Sequence, residues 1–183
     1  MCRTTTKAIS VNESTKRSKS DLVAIKRDVK DLAMELMGEY LSWEWTFKFN
    51  NNKSRMGVCR YGRKRSIEVS EFYLKWGMPW SVIQNTTRHE VSHAVAIERY
   101  GRDAAGHGPL WKRVAVELGA DPKACGDTKT LLPDAAFNWI LECRECGTRI
   151  RYHRKPKVAK NPQNYSHANC SRGCFKIVKR YRK

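Results

Sequence analysis

The feature that most constrains this chain is the run His89-Glu90-Val91-Ser92-His93. It lies within residues 81–100, where Val82, Ile83, Val91, Ala94, Val95 and Ile97 recur at helical spacing and Gly101 supplies a stop. Four residues make about one turn, so both imidazoles leave the same helix face, roughly 5.4 Å apart along the axis. Histidines so placed offer two ligands to one metal ion. Glu90, rotated about 100° from His89, can reach a water on that ion without occupying a coordination position. This pattern serves metal-assisted hydrolysis, in which the ion brings a water's pKa towards about 7 and the glutamate takes the proton as the oxygen attacks a carbonyl. Mixed imidazole and water ligation on a hydrolytic site favours zinc.

An open catalytic site needs a third protein ligand. A longer motif with Gly at 96 and His at 99 would supply it from the same helix, but Ala96 and Arg99 stand there. Two candidates remain downstream. Glu117 belongs to a short helix opened by Pro109, striped by Leu110, Trp111, Val114, Ala115 and Leu118, and closed by Gly119. His107, between Gly106 and Gly108 at the mouth of that helix, is better placed to turn back towards His93 and is preferred.

Upstream, Leu22, Ile25, Val29, Leu32, Leu36 and Met37 predict an amphipathic helix from Ser20 or Asp21 to near Leu41. Trp43, Trp45, Phe47 and Phe49 alternate with polar residues, which predicts a strand with both tryptophans in the core. Turns at 50–52 and 62–64 then suggest an antiparallel meander through residues 56–61 and 66–70. Trp76 and Trp80 could line a substrate or single-strand groove. Residues 1–20 read as a flexible basic arm, and 120–138 as connecting coil.

There are seven cysteines and no apolar run of signal-peptide or membrane-span length. The expected setting is intracellular and reducing: cytoplasm or nucleoid, or a nucleus in a eukaryote. Cys143-x-x-Cys146-Gly147 is a zinc knuckle by spacing, and Cys170 with Cys174 supplies its second half, closing a four-thiolate structural site. That second pair has three intervening residues, and His167-x-x-Cys170 is an alternative; Cys174 is preferred. Cys2, Cys59 and Cys125 have no partner at ligand spacing.

With 36 Lys and Arg against 18 Asp and Glu, the surface attracts polyanions. Thirteen of those cations fall in residues 142–183 beside two glutamates. Arg149, Arg151, Tyr152, Arg154, Lys155, Lys157 and Lys160 form a candidate DNA-contacting finger, cations on phosphates and the tyrosine on an exposed base.

The run Arg88-His89-Glu90-Val91-Ser92-His93-Ala94, the later Gly106-His107-Gly108-Pro109-Leu110-Trp111-Lys112, and the segments Gly57-Val58-Cys59 and Ile67-Glu68-Val69-Ser70 together resemble the SprT-like metallopeptidases. The resemblance extends over about residues 20–180. It implies His89, His93 and His107 as ligands of a catalytic zinc, Glu90 as the catalytic residue, and digestion of proteins bound or crosslinked to DNA. It also supports the C-terminal zinc ribbon. The expected architecture is α+β: a zincin-like domain over 21–138, with a small antiparallel sheet beside the metal-bearing helix, then a basic ribbon over 139–183. Two zinc ions, single-stranded or partly single-stranded DNA, and DNA-bound protein substrates are the expected cofactors and partners, with no membrane. The rival readings are a zinc-containing DNA-binding adaptor that cuts nothing, and a general metallopeptidase indifferent to DNA.

Overall fold

A computed structural model describes residues 16–123 and 128–180. Helix α1 (Lys19–Tyr40) begins where the Ser18 hydroxyl accepts from the Asp21 N–H at 3.1 Å, and it buries Val29, Ala33 and Met37. Those positions are four apart, so a single stripe faces the core. Of the expected arm, residues 1–15 lie outside the described residues. Arg17 is tied down: its N–H donates to the Lys75 carbonyl at 2.8 Å, and its guanidinium donates to the carbonyls of Leu74 and Met78.

Strands β1 (Thr46–Asn50), β2 (Gly57–Tyr61) and β3 (Arg65–Ser70) follow. The expected antiparallel meander needs one correction. β2 and β3 form an antiparallel hairpin, but β1 lies on the far side of β3 and runs parallel to it, in the order β1-β3-β2. The side chains of Asn50 and Asn52 accept from the backbone N–H groups of residues 52, 54 and 55, turning the chain aside instead of back along β1. The central place falls to β3, whose Ile67 and Val69 are fully buried. A second correction concerns the tryptophans: Trp45 is buried, but Trp43 is 91% exposed. The alternation that placed both in the core covers a turn, and β1 starts only at Thr46.

Next come α2 (Glu71–Lys75), α3 (Trp80–Tyr100) and α4 (Pro109–Glu117). One part of the core gathers Met37, Trp45, Ile67, Val91, Val95 and Trp111; another gathers Val29, Val69, Phe72, Tyr73, Leu74 and Ile83. Trp76 and Trp80 are partly buried against the second part. Residues 120–138 are more than connecting coil, because Leu132, Ala136 and Phe137 join that same part and are held by short 3-10 turns at Thr128–Leu131 and Asp134–Ala136.

The remaining strands β4 (Trp139–Cys143), β5 (Arg149–Tyr152) and β6 (Phe175–Arg180) form a separate antiparallel sheet in the order β5-β4-β6. Trp139, Leu141, Cys143, Cys174 and Phe175 make its core. Ile140, facing the other way, packs with the second part of the main core. Among the described residues no helix is long and apolar enough to cross a membrane.

Candidate metal centres

Helix α3 can carry polar side chains into the interior because it satisfies them itself. The Thr87 hydroxyl donates to the Ile83 carbonyl at 2.9 Å and the Ser92 hydroxyl to the Arg88 carbonyl at 2.7 Å. His89, at 3% exposure, and His93 leave the same face of this helix. His107 comes from the loop before α4, where Gly108 is the N-cap. Neither Gly106 nor Gly108 has a positive φ, and a Cβ at either would meet nothing within 4 Å. The loop's docking onto α4 therefore places His107, and no special glycine backbone is required.

The three Nε2 atoms form a nearly equilateral triangle: 3.2 Å from His89 to His93, 3.1 Å from His93 to His107, and 3.0 Å from His107 to His89. A ring nitrogen is either an N–H donor or a lone-pair acceptor. Among three in mutual contact at least two share a role, so hydrogen bonding alone cannot satisfy the triangle. One cation accepting all three lone pairs can. Imidazole nitrogens at the corners of a zinc tetrahedron stand about 3.3 Å apart, close to the spacing found. Burial, then His107, holds His89 down at about 4. Burial, then His89 and His107, holds His93 at about 3. Both are thus neutral at neutral pH, the form in which imidazole ligates.

Trp111 lies beneath the triangle. Its indole is fully buried, with ring centroids 4.7 Å from His89, 5.1 Å from His93 and 4.5 Å from His107. In sequence it counts only as one apolar residue of the α4 stripe, although its position one turn after His107 was a usable signal.

Glu90 is 7% exposed and sits against β2. Burial pushes its carboxyl up to about 7, while a hydrogen bond from the Cys59 N–H and the charge of Arg55 pull the other way. A Cβ on Gly57 would stand 2.6 Å from Glu90 Cγ and Oε1 and 2.8 Å from Thr86 Cγ2, so the strand can approach only because residue 57 is glycine. Burial, with the Glu90 charge, pushes the neighbouring Cys59 thiol up to about 12. Sequence spacing does not reveal this clamp, because β2 and α3 are joined only by the fold. Glu117, the rival third ligand, is engaged elsewhere: Arg99 donates to it twice, at 2.6 and 2.9 Å.

The SprT-like family matches residues 26–130, more than half of the chain. This chain belongs to the SprT-like family. That membership places the three histidines in a peptidase-related domain. No curated protein matches the chain.

Beyond the matched span, this SprT-like chain gathers a second set of ligands. Cys143 Sγ, Cys146 Sγ, Cys170 Sγ and a ring nitrogen of His167 lie within 4.8 Å of one another, compatible with a tetrahedral zinc site. His167 Nδ1 is 3.2 Å from Cys146 Sγ. The turn that brings it there is closed by the Cys170 N–H on the His167 carbonyl at 2.8 Å and contains Ala168 at φ +45°. His167, the alternative by spacing, thus stands in the gathered set. Cys174 is buried beside it, with its thiol on Cys143 and receiving the His167 backbone N–H. Hydrogen bonds from Thr148 hold Cys146 down at about 6, the direction a metal-binding thiolate requires.

The finger divides into engaged and available groups. Arg149 pairs with Asp134 at 2.8 Å and Glu142 at 2.9 Å, and Arg151 pairs with Asp134 at 2.7 Å. Arg154, Lys155, Lys157 and Lys160 make no ion pair among the described residues, although the Lys155 ammonium lies 5.7 Å over the Trp139 ring. Tyr152 is partly buried, and His153 stacks on Phe137 at 4.6 Å with its edge to Phe72 at 5.0 Å, which docks the ribbon on the main core.

Proposed function

We propose that this chain is a zinc-dependent endopeptidase of zincin type that cleaves proteins bound or crosslinked to DNA and is stimulated by that DNA. The observation that carries the reading is the convergence of three histidine Nε2 atoms within 3.2 Å beside a buried glutamate of the same helix. Zinc held by His89, His93 and His107 supplies Lewis acidity to a water and to a peptide carbonyl when bound. The chain's own groups do the rest. Glu90, held high by burial, takes the water's proton at its carboxylate and returns it to the leaving amine. The Cys59 N–H orients that carboxylate, and Trp111 sets the planes of the imidazoles and keeps water from their rear.

Support for DNA comes from the ribbon. A cavity of about 590 Å³ is lined by Tyr152, Tyr165, Phe175, Arg154, Lys155 and Lys157, a mixture suited to stacked bases and phosphates. A second, of about 680 Å³, lies between residues 51–54 and residues 151–154, at the start of the segment leading to Gly57 and Glu90.

The test incubates a DNA-binding protein with the parent and with Glu90→Gln, with and without single-stranded DNA. The parent is expected to cleave, and faster with DNA. The variant should keep zinc and DNA but cleave at least about 10²-fold more slowly. Zinc and DNA binding without cleavage by the parent would leave an adaptor. Cleavage indifferent to DNA would leave a general peptidase.

A further inference from the structure

At the opposite end of the three-stranded sheet from the ribbon, the chain presents an aromatic and cationic surface that the reaction does not use. β1 and β3 are parallel, with Thr46 opposite Ser66, and the β2–β3 hairpin closes with Tyr61 opposite Arg65. The turn carrying Trp43 and the hairpin tip 62–64 therefore share one end of the sheet. Arg65 joins them: its guanidinium is 2.6 Å from Glu44, 3.6 Å from Glu98 and 5.9 Å over the Trp45 ring. On the other flank of Trp43, the Ser42 N–H donates to Glu98 at 3.2 Å and its hydroxyl donates to the same carboxylate. Residues 42, 44 and 45 are thus fixed, and the indole between them is held outward at 91% exposure. Trp43 thus presents a large aromatic face to solvent from a backbone pinned on both sides.

The surroundings say what it contacts. Tyr61 is 42% exposed, and Arg63 and Lys64 are exposed with no ion pair among the described residues. Arg60 meets Glu68 through Nε at 2.7 Å and remains 57% exposed. The carboxylates nearby, Glu44, Glu98 and Glu68, are already matched by Arg65, Arg60 and Lys48. Aromatic faces beside unpaired cations suit a polymer with planar bases and a phosphate backbone. We propose that Trp43, Tyr61, Arg63 and Lys64 form a second contact for single-stranded nucleic acid, a proposal that rests on the DNA part of the reading above. Five residues of strand separate this end from the 51–54 loop, about 17 Å. A strand long enough to span that distance can engage both surfaces, whereas a short one held in the ribbon cavity does not reach the second.

The experiment measures fluorescence anisotropy of a short oligonucleotide, and of one several times longer, with the zinc-loaded full chain over a salt series. Trp43→Ala should weaken the long oligonucleotide about five- to hundredfold and leave the short one unchanged. Trp43→Phe should restore most of the loss, because the phenyl ring still stacks. Arg63→Ala with Lys64→Ala should make the slope of log affinity against log salt shallower by about 1.4 for the long strand. All these side chains are exposed, so unchanged thermal unfolding is the control for folding. Parent-like binding of the long strand by all variants, while Arg154→Ala with Lys155→Ala loses it, would overturn the second contact and leave the ribbon reading intact. Loss of affinity for an acidic peptide but not for DNA would make the surface a protein contact and also overturn it. If the parent bound neither oligonucleotide, both this surface and the DNA part of the function would fall, whatever the outcome of the Glu90→Gln cleavage assay.

Discussion

Replacing Gly57 by alanine tests the clamp on Glu90 most directly. The added Cβ would lie 2.6 Å from Glu90 Cγ and Oε1 and 2.8 Å from Thr86 Cγ2, against about 3.5–4.0 Å for comfortable carbon contacts. Relief therefore requires a displacement of about 1 Å. The carboxylate's tip could swing, but Cγ is buried near the helix, Thr86 is β-branched and stiff, and the Cys59 N–H holds the carboxylate. Overpacking of this kind costs about 1–3 kcal/mol, and a displacement of about 1 Å in a proton-transferring group costs about 10²-fold in rate. Neither contact touches His89, His93 or His107, so zinc content should be unchanged. Urea unfolding, zinc stoichiometry and peptidase progress curves on one preparation separate the effects. A Gly57→Ala protein with parental rate and parental midpoint would show that β2 does not position Glu90.

Four other outcomes are expected. His107→Ala should lose the first zinc on dialysis against a chelator, while Glu117→Ala, which breaks only an exposed pair with Arg99, should retain it, as read by metal analysis. Trp111→Phe should keep zinc and fold, whereas Trp111→Ala should lose about 3–5 kcal/mol of unfolding free energy and weaken the metal site. In the ribbon, His167→Ala should release the second zinc more readily than Cys174→Ser, and the cobalt-substituted spectrum should show three thiolates in the parent; the reverse order would place Cys174 in the ligand set. Burial opposes ionisation of Glu68, but hydrogen bonds from Asn50, Arg60 and Lys48 outweigh it and hold the carboxyl at about 2. Its contribution to stability is therefore complete above about pH 4.5 and lost as pH falls towards 2. Glu68→Gln should be less stable than the parent at neutral pH, with a difference that shrinks through that window in acid unfolding.

Features written in local spacing were legible before the fold was known. The α1 and α3 stripes, the His89 and His93 pair, and His107 at the start of α4 depend on neighbours within a few turns, and the fold brings all three imidazoles together. Features that depend on which distant segments meet were not legible. Alternation in β1 says nothing about whether β2 or β3 lies beside it. The pairing of Arg149 and Arg151 with Asp134 engages two of the finger's cations through a residue in what reads as coil. Trp43 shows the limit most plainly: its spacing matches Trp45, but a turn held by Glu98 and Arg65 sends the two rings to opposite environments.

The strand β4 is apolar on both faces, with Trp139 and Leu141 in the ribbon core and Ile140 in the main one. A one-residue insertion or deletion there would exchange the two faces and open holes in both cores at once. Trimming the chain at residue 138 would likewise leave the Ile140 socket empty beside Phe72, Leu132 and Phe137. The two candidate metal sites share no ligand, yet the cores that carry them meet along β4. Stripping the ribbon of its ion should loosen the peptidase core in a single cooperative transition, with amide exchange at residues 139–143 rising together with that of α2.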